Sequence, residues 1–310
     1  MRIFITGVAG FIGSNLAKSW LDDGHSVSGL DNFSAGTREN LDPRVECHAI
    51  DVCDPTVVDL LSRVDVVYHL AARNCIPDCA AHPLETAETN VRGTANVLES
   101  VRRAKVPKLV YADTSAEYEG TNEFPSRVDR IAPTSVYAVS KRAGALWCQS
   151  YALHHGLDVT VTRYFNVYGP AQDFRRVIPP VMAAFICKML RGEPPTIFGK
   201  GSKRRDFIFV DDVNRLSKLV ATHPKSRGET FNVGTGHNYS IREVFDGIEA
   251  ILKTGIEPVY RPDLPGEPEV TLADISRERE LLGWEPQIDL GQGLQRTIDY
   301  LRRRLAQEAS

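Results

Sequence analysis

The amino-acid sequence predicts an α/β fold, with a doubly wound parallel sheet and a smaller C-terminal lobe. Three observations support this prediction. Strand-like and helix-like segments alternate through the first half of the chain, the strands are rich in Val and Ile, and Pro and Gly become frequent in the second half. Alternation of this kind is typical of βαβ units. Strands that are apolar throughout indicate a sheet covered on both faces.

Short segments rich in apolar and β-branched residues mark the predicted strands. They are Arg2–Thr6, Ser26–Asp31, Val45–Ile50, Val64–Leu70, Leu109–Ala112 and Asp158–Tyr164. Longer segments with helical periodicity lie between them. These are Phe11–Asp23, Pro55–Ser62, Pro83–Ala104 and Ser135–His155. The order strand, helix, strand is therefore repeated from the start of the chain to about Tyr164.

The pattern changes near Asn166, where Pro- and Gly-rich loops and shorter helices begin. We therefore expect a sheet domain over residues 1–165 and mainly a second lobe over residues 166–310. Loops on a regular scaffold commonly cover a binding site. Strand-like segments near 207–210 and 230–233 are candidates to rejoin the large sheet.

Composition excludes several classes of protein. The chain has 310 residues, 42% hydrophobic and 25% charged, with 37 Lys+Arg against 40 Asp+Glu and a net charge of -3. This balance argues against a nucleic-acid partner or a membrane surface. No apolar run approaches the roughly 20 residues that cross a bilayer, and no signal-peptide pattern opens the chain. The six cysteines form no CxxC pair, so we expect reduced thiols, no metal site and a cytoplasmic protein.

A glycine-rich segment links the first predicted strand to the first predicted helix. It runs Thr6-Gly-Val-Ala-Gly-Phe-Ile-Gly13. Glycine at these places permits a tight turn, a close approach of backbone to a diphosphate and close packing of helix on strand. The helix N-terminus then offers free N–H groups and a partial positive charge to the phosphates. The segment predicts a Rossmann-like dinucleotide site that includes Gly7, Gly10, Phe11, Ile12 and Gly13.

Two aspartates follow later strands of the same predicted sheet. Asp31 ends the second strand, where a carboxylate accepts hydrogen bonds from the adenosine 2′- and 3′-hydroxyls and repels a 2′-phosphate. This position favours NAD over NADP as the cofactor. Asp51 follows the third strand, within reach of the adenine amino group. The alternatives are a glycine turn with a solvated Asp31, and a loop or helix-capping role for Asp51.

The segment Tyr137-Ala-Val-Ser-Lys141 carries the strongest chemical signal. A tyrosine and a lysine four residues apart lie on one face of a helix. We expect the ammonium to lower the pKa of Tyr137 from about 10 toward neutrality, so that it exchanges a proton with a substrate hydroxyl during hydride transfer. Thr114 or Ser115, at a strand end, is a candidate to hydrogen-bond the reacting oxygen. The alternative is a pair on a helix surface, which the upstream dinucleotide motif disfavours.

Further motifs are spread over nearly the whole chain. They are Asp31-Asn32, Asp51-Val52, His69-Leu-Ala-Ala72, Asn90, Arg163-Tyr-Phe-Asn-Val-Tyr-Gly-Pro170, Val177-Ile-Pro179, Arg204-Arg-Asp-Phe207, Val210-Asp-Asp-Val213, Asn232-Val-Gly-Thr-Gly236, and Ala273-Asp274 with Leu282-Gly-Trp284. With the glycine-rich loop and the Tyr137/Lys141 pair, this set resembles the extended short-chain dehydrogenase/reductase family. The resemblance is to its nucleotide-sugar branch, and above all to the UDP-hexose and UDP-N-acetylhexosamine 4-epimerases.

The resemblance implies a tightly held NAD and a UDP sugar that is oxidised transiently at C4′ to a 4-keto sugar. It implies Tyr137 as the base, Lys141 as the partner that lowers its pKa, and Thr114 as a third hydroxyl. The cofactor contacts that it adds are Asn32, Val52, Leu70, Ala71, Ala72, Asn90, Tyr137, Lys141, Tyr164 and Val167. The substrate contacts are Ser115, Ala116, Asn166, Val177, Ile178, Phe198, Arg205, Arg261 and Thr271. Relatives commonly form homodimers through two long helices, here near residues 83–104 and 135–155.

The resemblance also favours epimerisation among the reactions of the branch. The 4,6-dehydratases carry Asp-Glu directly after the catalytic threonine, and the decarboxylases usually keep a glutamate there. This chain has Ser115 and Ala116 at those places, and Glu117 should face away from the substrate if the segment is extended. Another NAD-dependent modification, by a dehydratase, a decarboxylase, a glucuronate epimerase or a 4-keto reductase, stays an alternative. So does a non-catalytic sensor of NAD or nucleotide sugar.

The choice of sugar depends on a few positions in the second half. Thr271 is small where a bulky residue excludes N-acetyl groups in some relatives, so we expect room for them. Glucuronate epimerases tend to have threonine where Asn166 stands, which disfavours an acidic sugar. The usual phosphate-binding arginine is replaced by Leu264, and Arg261 is the candidate to replace it.

Overall fold

The structure, a computed structural model, describes residues 1–176, 178–263 and 267–308. The strands are β1 (Arg2–Thr6), β2 (Ser26–Leu30), β3 (Glu46–His48), β4 (Val66–His69), β5 (Lys108–Thr114), β6 (Val159–Tyr164), β7 (Asn166–Tyr168), β8 (Thr196–Phe198), β9 (Arg204–Arg205), β10 (Phe207–Phe209), β11 (Thr230–Val233), β12 (Tyr239–Ser240) and β13 (Val259–Arg261). The α-helices are α1 (Phe11–Asp22), α2 (Ile76–Ala81), α3 (Pro83–Ala87), α4 (Gly93–Ala104), α5 (Val136–His155), α6 (Val181–Leu190), α7 (Val210–Thr222), α8 (Ile241–Leu252), α9 (Ser276–Leu282) and α10 (Leu290–Glu308).

Within the described residues, seven strands form one parallel sheet in the order β11-β6-β5-β4-β1-β2-β3. The chain winds outward from β1 first in one direction and then in the other, so the direction reverses between β1 and β4. In such sheets ligands bind beyond the carboxyl ends of the strands, at this reversal. The fold therefore places a binding cleft beside Thr6 and His69, the last residues of β1 and β4.

Both faces of the sheet are covered, as the apolar strands predict. Along β1, Ile3 and Ile5 belong to the core under α1 and α7. Phe4, between them, belongs to the core under α4 and α5, because successive side chains of a strand point to opposite faces. The predicted doubly wound α/β fold is confirmed.

A separate apolar core lies in the second half of the chain. It joins α6, α8 and α10 through side chains such as Phe185, Phe245 and Leu294. Of the two later strands that were candidates for the large sheet, 230–233 joins it as β11 beside β6. The segment 207–209 does not join it. It pairs as β10 with β7 in a separate two-stranded sheet, after the chain has left the large sheet at the end of β6.

Several predicted elements have adjusted bounds. Residues 55–61 form a 3₁₀-helix rather than an α-helix. The predicted helix 83–104 contains a π-helical turn, Glu88–Arg92, between α3 and α4. Helix α5 begins at Val136 because Ser135 caps it, accepting a hydrogen bond from the N–H of Ala138 at 3.1 Å. Among the described residues, no helix is long and apolar enough to span a membrane.

Candidate active site

The glycine-rich turn is shaped by the absence of side chains. Gly7 has φ +73, and a Cβ at Gly13 would lie only 2.2 Å from the Gly7 carbonyl oxygen. Gly10 is the N-cap of α1, without a side-chain cap and without an acidic residue in the first turn. The backbone N–H groups of Phe11, Ile12 and Gly13 therefore face a place where an anionic group is favoured. This turn fits the diphosphate of a dinucleotide.

Asp31 lies at the end of β2 and ties that strand to the glycine-rich turn. Its two carboxylate oxygens accept hydrogen bonds from the N–H of Ala9 at 3.0 Å and of Phe33 at 2.8 Å. Burial raises the pKa of Asp31, and the two backbone hydrogen bonds oppose this shift. Each carboxylate oxygen keeps a lone pair free, which fits the ribose-binding role predicted for it.

The polar groups after β2 and β3 meet directly. Asn32 donates a hydrogen bond to Asp51 at 2.7 Å, and Asp51 also accepts one from the N–H of Cys53 at 2.8 Å. The predicted contact Val52 is buried, 3% exposed, with its side chain in the core. Only its backbone is therefore available to a ligand at this edge.

Thr6 is a site residue whose contacts the motif analysis missed. Its hydroxyl accepts hydrogen bonds from the N–H groups of Leu70 and Ala71, at 3.2 and 3.1 Å, and lies 2.8 Å from Nδ1 of His69. The loop that continues through Ala72 is thereby held against the glycine-rich turn. Burial lowers the pKa of His69 to about 3, so this imidazole is neutral.

Asn90 lies in the π-helical turn and is 1% exposed. Its side-chain carbonyl accepts from the N–H of Arg73 at 2.8 Å, and its amide donates to the Arg73 carbonyl at 3.0 Å and to Ser140 Oγ at 2.9 Å. The predicted cofactor contact is thus engaged with the protein itself. It fixes the loop after β4 to the helix that carries Lys141.

The predicted catalytic residues come together at the carboxyl end of β5 and on α5. Thr114 ends β5, and Tyr137 and Lys141 lie in the first turns of α5. The Lys141 ammonium is buried and lies 4.2 Å from the centre of the Tyr111 ring. The hydroxyl of Thr114 also accepts a hydrogen bond from the N–H of Ala116, at 3.1 Å.

The charge states at this helix differ from the sequence-based expectation. Burial raises the pKa of Tyr137, because the phenolate loses solvation, and the neighbouring Thr114 hydroxyl only partly opposes this. The prediction of a lowered tyrosine pKa is therefore wrong for this structure. Burial also lowers the pKa of Lys141, to about 8, while the carboxylate of Asp113 opposes that shift.

The residues after Thr114 form a 3₁₀ turn, Ser115–Tyr118, not an extended segment. Ser115 and Ala116 are partly exposed at the strand end. Glu117 is fully buried, and its carboxylate lies 2.6 Å from the guanidinium of Arg163. The carboxylate that directly follows the two dehydratase positions is thus paired with Arg163 inside the protein.

Glu119 is a second residue that the sequence analysis did not recognise. Its carboxylate accepts hydrogen bonds from the hydroxyl of Thr134 at 3.1 Å and from the N–H and hydroxyl of Ser135 at 3.1 and 3.2 Å. Because Ser135 caps α5, Glu119 fixes the start of the helix that carries Tyr137. The signal in the sequence is Glu119 itself, which stands where the family that the sequence resembles usually has a glycine.

The residues predicted to hold the sugar lie where the chain leaves the large sheet between β6 and β7. Asn166 donates hydrogen bonds to Thr271 Oγ1 at 3.1 Å and to the carbonyl of Asp206 at 3.0 Å. Tyr164 and Val167 pack into the apolar core beneath. Their side chains therefore support the proposed sugar site from below, and only their backbone borders it.

Asp206 organises the loops around this edge. It is completely buried and accepts hydrogen bonds from Thr235 N–H and hydroxyl, at 2.8 and 2.7 Å, and from the N–H of Gly236 and Ala273, both at 3.0 Å. Burial raises the pKa of Asp206 against these hydrogen bonds. The carboxylate thereby joins the loop after β11 to the segment that follows Thr271, next to Arg205.

The residues predicted to hold the nucleotide lie in the second lobe. Phe198 and Arg261 are paired neighbours on β8 and β13, and Phe198 is 41% exposed. Arg205 donates a hydrogen bond to the Arg204 carbonyl at 3.0 Å and lies 3.7 Å from the carboxylate of Glu267.

Other predicted groups lie outside or at the rim of this region. Ile178 is 54% exposed on the loop before α6. Val177 and Leu264 lie outside the described residues. Within the described part of the chain, no group of His, Cys, Asp or Glu side chains is arranged to hold a metal ion.

Comparisons with known proteins agree with this geometry. The sequence pattern of the NAD dependent epimerase/dehydratase family matches residues 3–234. The UDP-glucose 4-epimerase of Mycolicibacterium smegmatis is 37% identical and aligns with 98% of this chain and 99% of its own length. The structure of UDP-glucose 4-epimerase from Thermotoga maritima with UDP-glucose has TM-score 0.94 and 35% identity, covering 98% of this chain and 100% of that one.

A third relative has a different substrate. The UDP-glucuronic acid 4-epimerase of Bacillus cereus, in complex with UDP-glucuronic acid and NAD, has TM-score 0.90 and 31% identity, covering 98% of this chain and 100% of that one. The sheet order, the glycine-rich turn and the Tyr137/Lys141 helix define a nucleotide-sugar enzyme of the extended short-chain dehydrogenase/reductase class. The chain belongs to the NAD dependent epimerase/dehydratase family. The predicted family and the predicted cofactor, NAD, are confirmed.

Proposed function

We propose that this enzyme epimerises C4′ of a UDP-hexose, UDP-Glc/UDP-Gal or UDP-GlcNAc/UDP-GalNAc. One observation carries the proposal: the side chains of Thr114 and Tyr137 interact at the end of β5, while the neighbouring carboxylate, Glu117, is held by Arg163 inside the protein. The site thus offers hydroxyl groups for proton exchange and no second acid or base at positions 115 and 116. Such a set suits reversible oxidation of an alcohol and does not suit elimination of water.

NAD supplies the hydride chemistry when it is bound, accepting hydride from the sugar and returning it. Tyr137 takes the proton of the 4′-hydroxyl and later restores it, as a general base and then a general acid. Thr114 holds the reacting oxygen beside the tyrosine. Because the resulting 4-keto sugar is planar at C4′, rotation of the sugar exposes its other face. The products then differ only in configuration at that carbon.

The chain would hold the cofactor mainly with groups at the ends of five strands, β1, β2, β3, β4 and β6. The turn from Gly7 to Gly13 would bind the diphosphate, and Asp31 would bind the adenosine ribose. The predicted contacts with the rest of the cofactor are Asn32, Asp51, Val52, Leu70, Ala71, Ala72, Asn90, Tyr164 and Val167. Lys141 binds the nicotinamide ribose.

The second lobe holds the nucleotide part of the substrate. Arg205 is assigned to the phosphate oxygens, since a guanidinium binds them with two parallel hydrogen bonds. Arg261 supplies a second positive charge beside Phe198, with which it is paired. Ile178, Asn166 and the small residues at the end of β5 complete the assigned contacts.

The size of Thr271 supports the N-acetylated sugars as substrates beside the plain hexoses. Its side chain is small and already engaged with Asn166 and the N–H of Asp206, both at 3.1 Å. No bulky group at this position blocks an acetamido substituent. Asn166 disfavours an acidic sugar, although the similarity to UDP-glucuronic acid 4-epimerase makes UDP-glucuronic acid the second candidate.

A homodimer is part of the same proposal. Val139, Leu146 and Leu153 lie at heptad spacing along α5, so they form one stripe, and they are 51%, 48% and 79% exposed. A groove of about 440 Å³ lies beside the stripe, lined by Leu84, Ala87, Glu88, Val91, Arg92, Ala95 and Trp147. Contiguous exposed apolar side chains mark interfaces. A second copy of the chain would cover α4 and α5 symmetrically.

We also propose a cytoplasmic location. All six cysteines are free thiols. Unpaired thiols are typical of proteins that work in a reducing compartment.

The proposal is tested by incubating the protein separately with UDP-Glc, UDP-Gal, UDP-GlcNAc, UDP-GalNAc and UDP-glucuronic acid. We expect the 4′-epimer from at least one neutral pair, with unchanged mass. Loss of water would identify a dehydratase and loss of carbon dioxide a decarboxylase. If none of the five UDP sugars is converted, the epimerase proposal is refuted.

A further inference from the structure

A buried ionic cluster lies behind the catalytic helix. The guanidinium of Arg163, whose side chain is 2% exposed, lies 3.1 Å from a carboxylate oxygen of Asp113 and 2.6 Å from one of Glu117. It also donates a hydrogen bond to the hydroxyl of Tyr118 at 2.7 Å. Both carboxylates are 0% exposed. Burial of so many ionised groups is costly unless their charges compensate each other.

The cluster faces Lys141. Tyr111 and Asp113 are two residues apart on β5, so their side chains point to the same face of the sheet. Arg163 pairs with Asp113 on the neighbouring strand and shares that face. The Lys141 ammonium lies over the Tyr111 ring at 4.2 Å. The same side of the sheet therefore carries two buried cations and two buried carboxylates.

The carboxylates have capacity beyond Arg163. Among the described residues, Oδ1 of Asp113 and Oε1 of Glu117 have no hydrogen-bond partner. One guanidinium leaves the pair of carboxylates with one uncompensated negative charge. Lys141 supplies the balancing positive charge, and both carboxylates act to raise its pKa against the effect of burial.

Other ionisable groups also face Lys141 and Glu117. Arg142, next to Lys141 on α5, stabilises the ionised form of Glu117. Cys148 on α5 is buried beside Lys141, and burial raises the pKa of its thiol, so it is uncharged. His69 on β4 is neutral because burial holds its pKa at about 3. The carboxylates that face Lys141 and act to raise its pKa are therefore those of Asp113 and Glu117.

We propose that Glu117 is a positioning residue that, together with Asp113, supplies the negative charge that keeps the buried Lys141 protonated. It acts through Lys141 and touches neither the substrate nor the cofactor. The proposal rests on the proposed function only for the role of Lys141 beside Tyr137 in the reaction. It also explains why a glutamate is tolerated beside the site without taking part in proton exchange.

The test measures the Lys141 ammonium directly. In protein labelled with [ε-¹³C]lysine, the Lys141 resonance is assigned from its absence in Lys141→Arg and followed against pH. Glu117→Gln keeps the size of the side chain and removes its charge. We expect the Lys141 pKa to fall by about one pH unit, which corresponds to the loss of about 1.4 kcal/mol of attraction to the ammonium.

Asp158→Asn is the matched control. Asp158 pairs with Lys108 at 2.7 Å, at the opposite end of β5, so its loss should leave the Lys141 titration unchanged. An unchanged titration in Glu117→Gln overturns the proposal. So does an equal shift in Asp158→Asn, because any lost carboxylate would then have the same effect.

Wild-type protein provides a test that needs no variant to fold. With both carboxylates in place the pKa of Lys141 is about 8, so its side chain should be mostly protonated at pH 7. A Lys141 side chain that is already neutral at pH 7 overturns the proposal. None of these measurements requires turnover, so an inactive protein with the expected titration contradicts only the proposed function. In an active protein, Glu117→Gln should also move the alkaline limb of kcat/KM to lower pH.

Discussion

The side-chain amide of Asn90 donates a hydrogen bond to Ser140 Oγ at 2.9 Å, joining the π-helical turn before α4 to the catalytic helix α5. Ser140 in turn donates to the carbonyl of Tyr137 at 2.7 Å. Asn90 also holds the backbone of Arg73 on both sides. One buried side chain thus sets the separation between the loop after β4 and the residues of the proposed chemistry.

Replacing Asn90 by alanine should reduce both stability and activity. The change leaves the backbone groups of Arg73 and the Ser140 hydroxyl without their partner, at a cost of about 2–4 kcal/mol in the free energy of unfolding. Asn96→Ala is the control, because Asn96 also makes two hydrogen bonds to backbone, at 2.9 and 2.8 Å, but away from α5. Urea unfolding should show a lower free energy of unfolding in both variants, whereas kcat should fall only in Asn90→Ala. A comparable loss of kcat in Asn96→Ala would show that Asn90 has no special relation to the site.

Replacing Tyr137 by phenylalanine should remove turnover and leave NAD bound. The ring and its packing stay, while the group that exchanges the proton is lost, so kcat should fall by about 10³-fold. Tyr151→Phe is the matched control on the same helix, since the Tyr151 hydroxyl donates to the carboxylate of Glu99, at 3.4 Å. Product formation and bound NAD are measured together. Turnover at the wild-type rate in Tyr137→Phe would refute the assigned base.

Stability should decrease between about pH 4.5 and pH 7 because of Glu278. Burial raises the pKa of this carboxyl from 4.5 to about 7. The folded state therefore binds the proton more tightly than the unfolded state. The resulting penalty is absent below pH 4.5, grows as the pH rises to about 7 and is then constant, at about 3 kcal/mol.

Glu278→Gln should remove that penalty. The variant should gain stability relative to wild type at pH 8 and much less at pH 5, as measured by urea unfolding. Glutamine keeps an oxygen that can accept the N–H of Asn232, the present partner of Glu278. Glu280→Gln, an exposed change on the same helix, should have no comparable pH dependence. An equal gain for Glu278→Gln at both pH values would show that the buried carboxyl does not titrate as described.

Replacing Leu146 by glutamate should dissociate the proposed homodimer. Leu146 lies in the middle of the exposed stripe on α5 and is 48% exposed, so the monomer should tolerate the charge. Light scattering after gel filtration should give twice the chain mass for wild type and the single chain mass for the variant. Tyr260→Glu, an equally exposed change on β13 (48%), should keep the wild-type mass. A monomeric wild-type protein would exclude the dimer.

The sequence predicted the features that local order determines. The turn from Gly7 to Gly13 follows from three glycines between a strand and a helix, and Asp31 follows from the end of the next strand. The pair Tyr137/Lys141 follows from helical spacing alone. In each case the geometry depends on neighbours in sequence or on the regular winding of the sheet.

The sequence did not predict contacts that depend on register and burial. The pairing of Glu117 with Arg163 requires the alignment of β5 with β6, and the 3₁₀ turn after Thr114 directs the glutamate inward. The raised pKa of Tyr137 depends on how deeply α5 buries it. The pairing of 207–209 with β7 rather than with the sheet depends on where the chain leaves β6.

The most direct test of the central claim is ¹H NMR of UDP-Glc and UDP-GlcNAc incubated with the protein in D₂O. Hydride removed from C4′ returns to the same sugar without exchange with solvent. We therefore predict that the 4′-epimer of at least one of the two sugars accumulates with its C4′ hydrogen retained as protium. Deuterium at C4′ of the product, or the absence of an epimer from both sugars, would contradict the account.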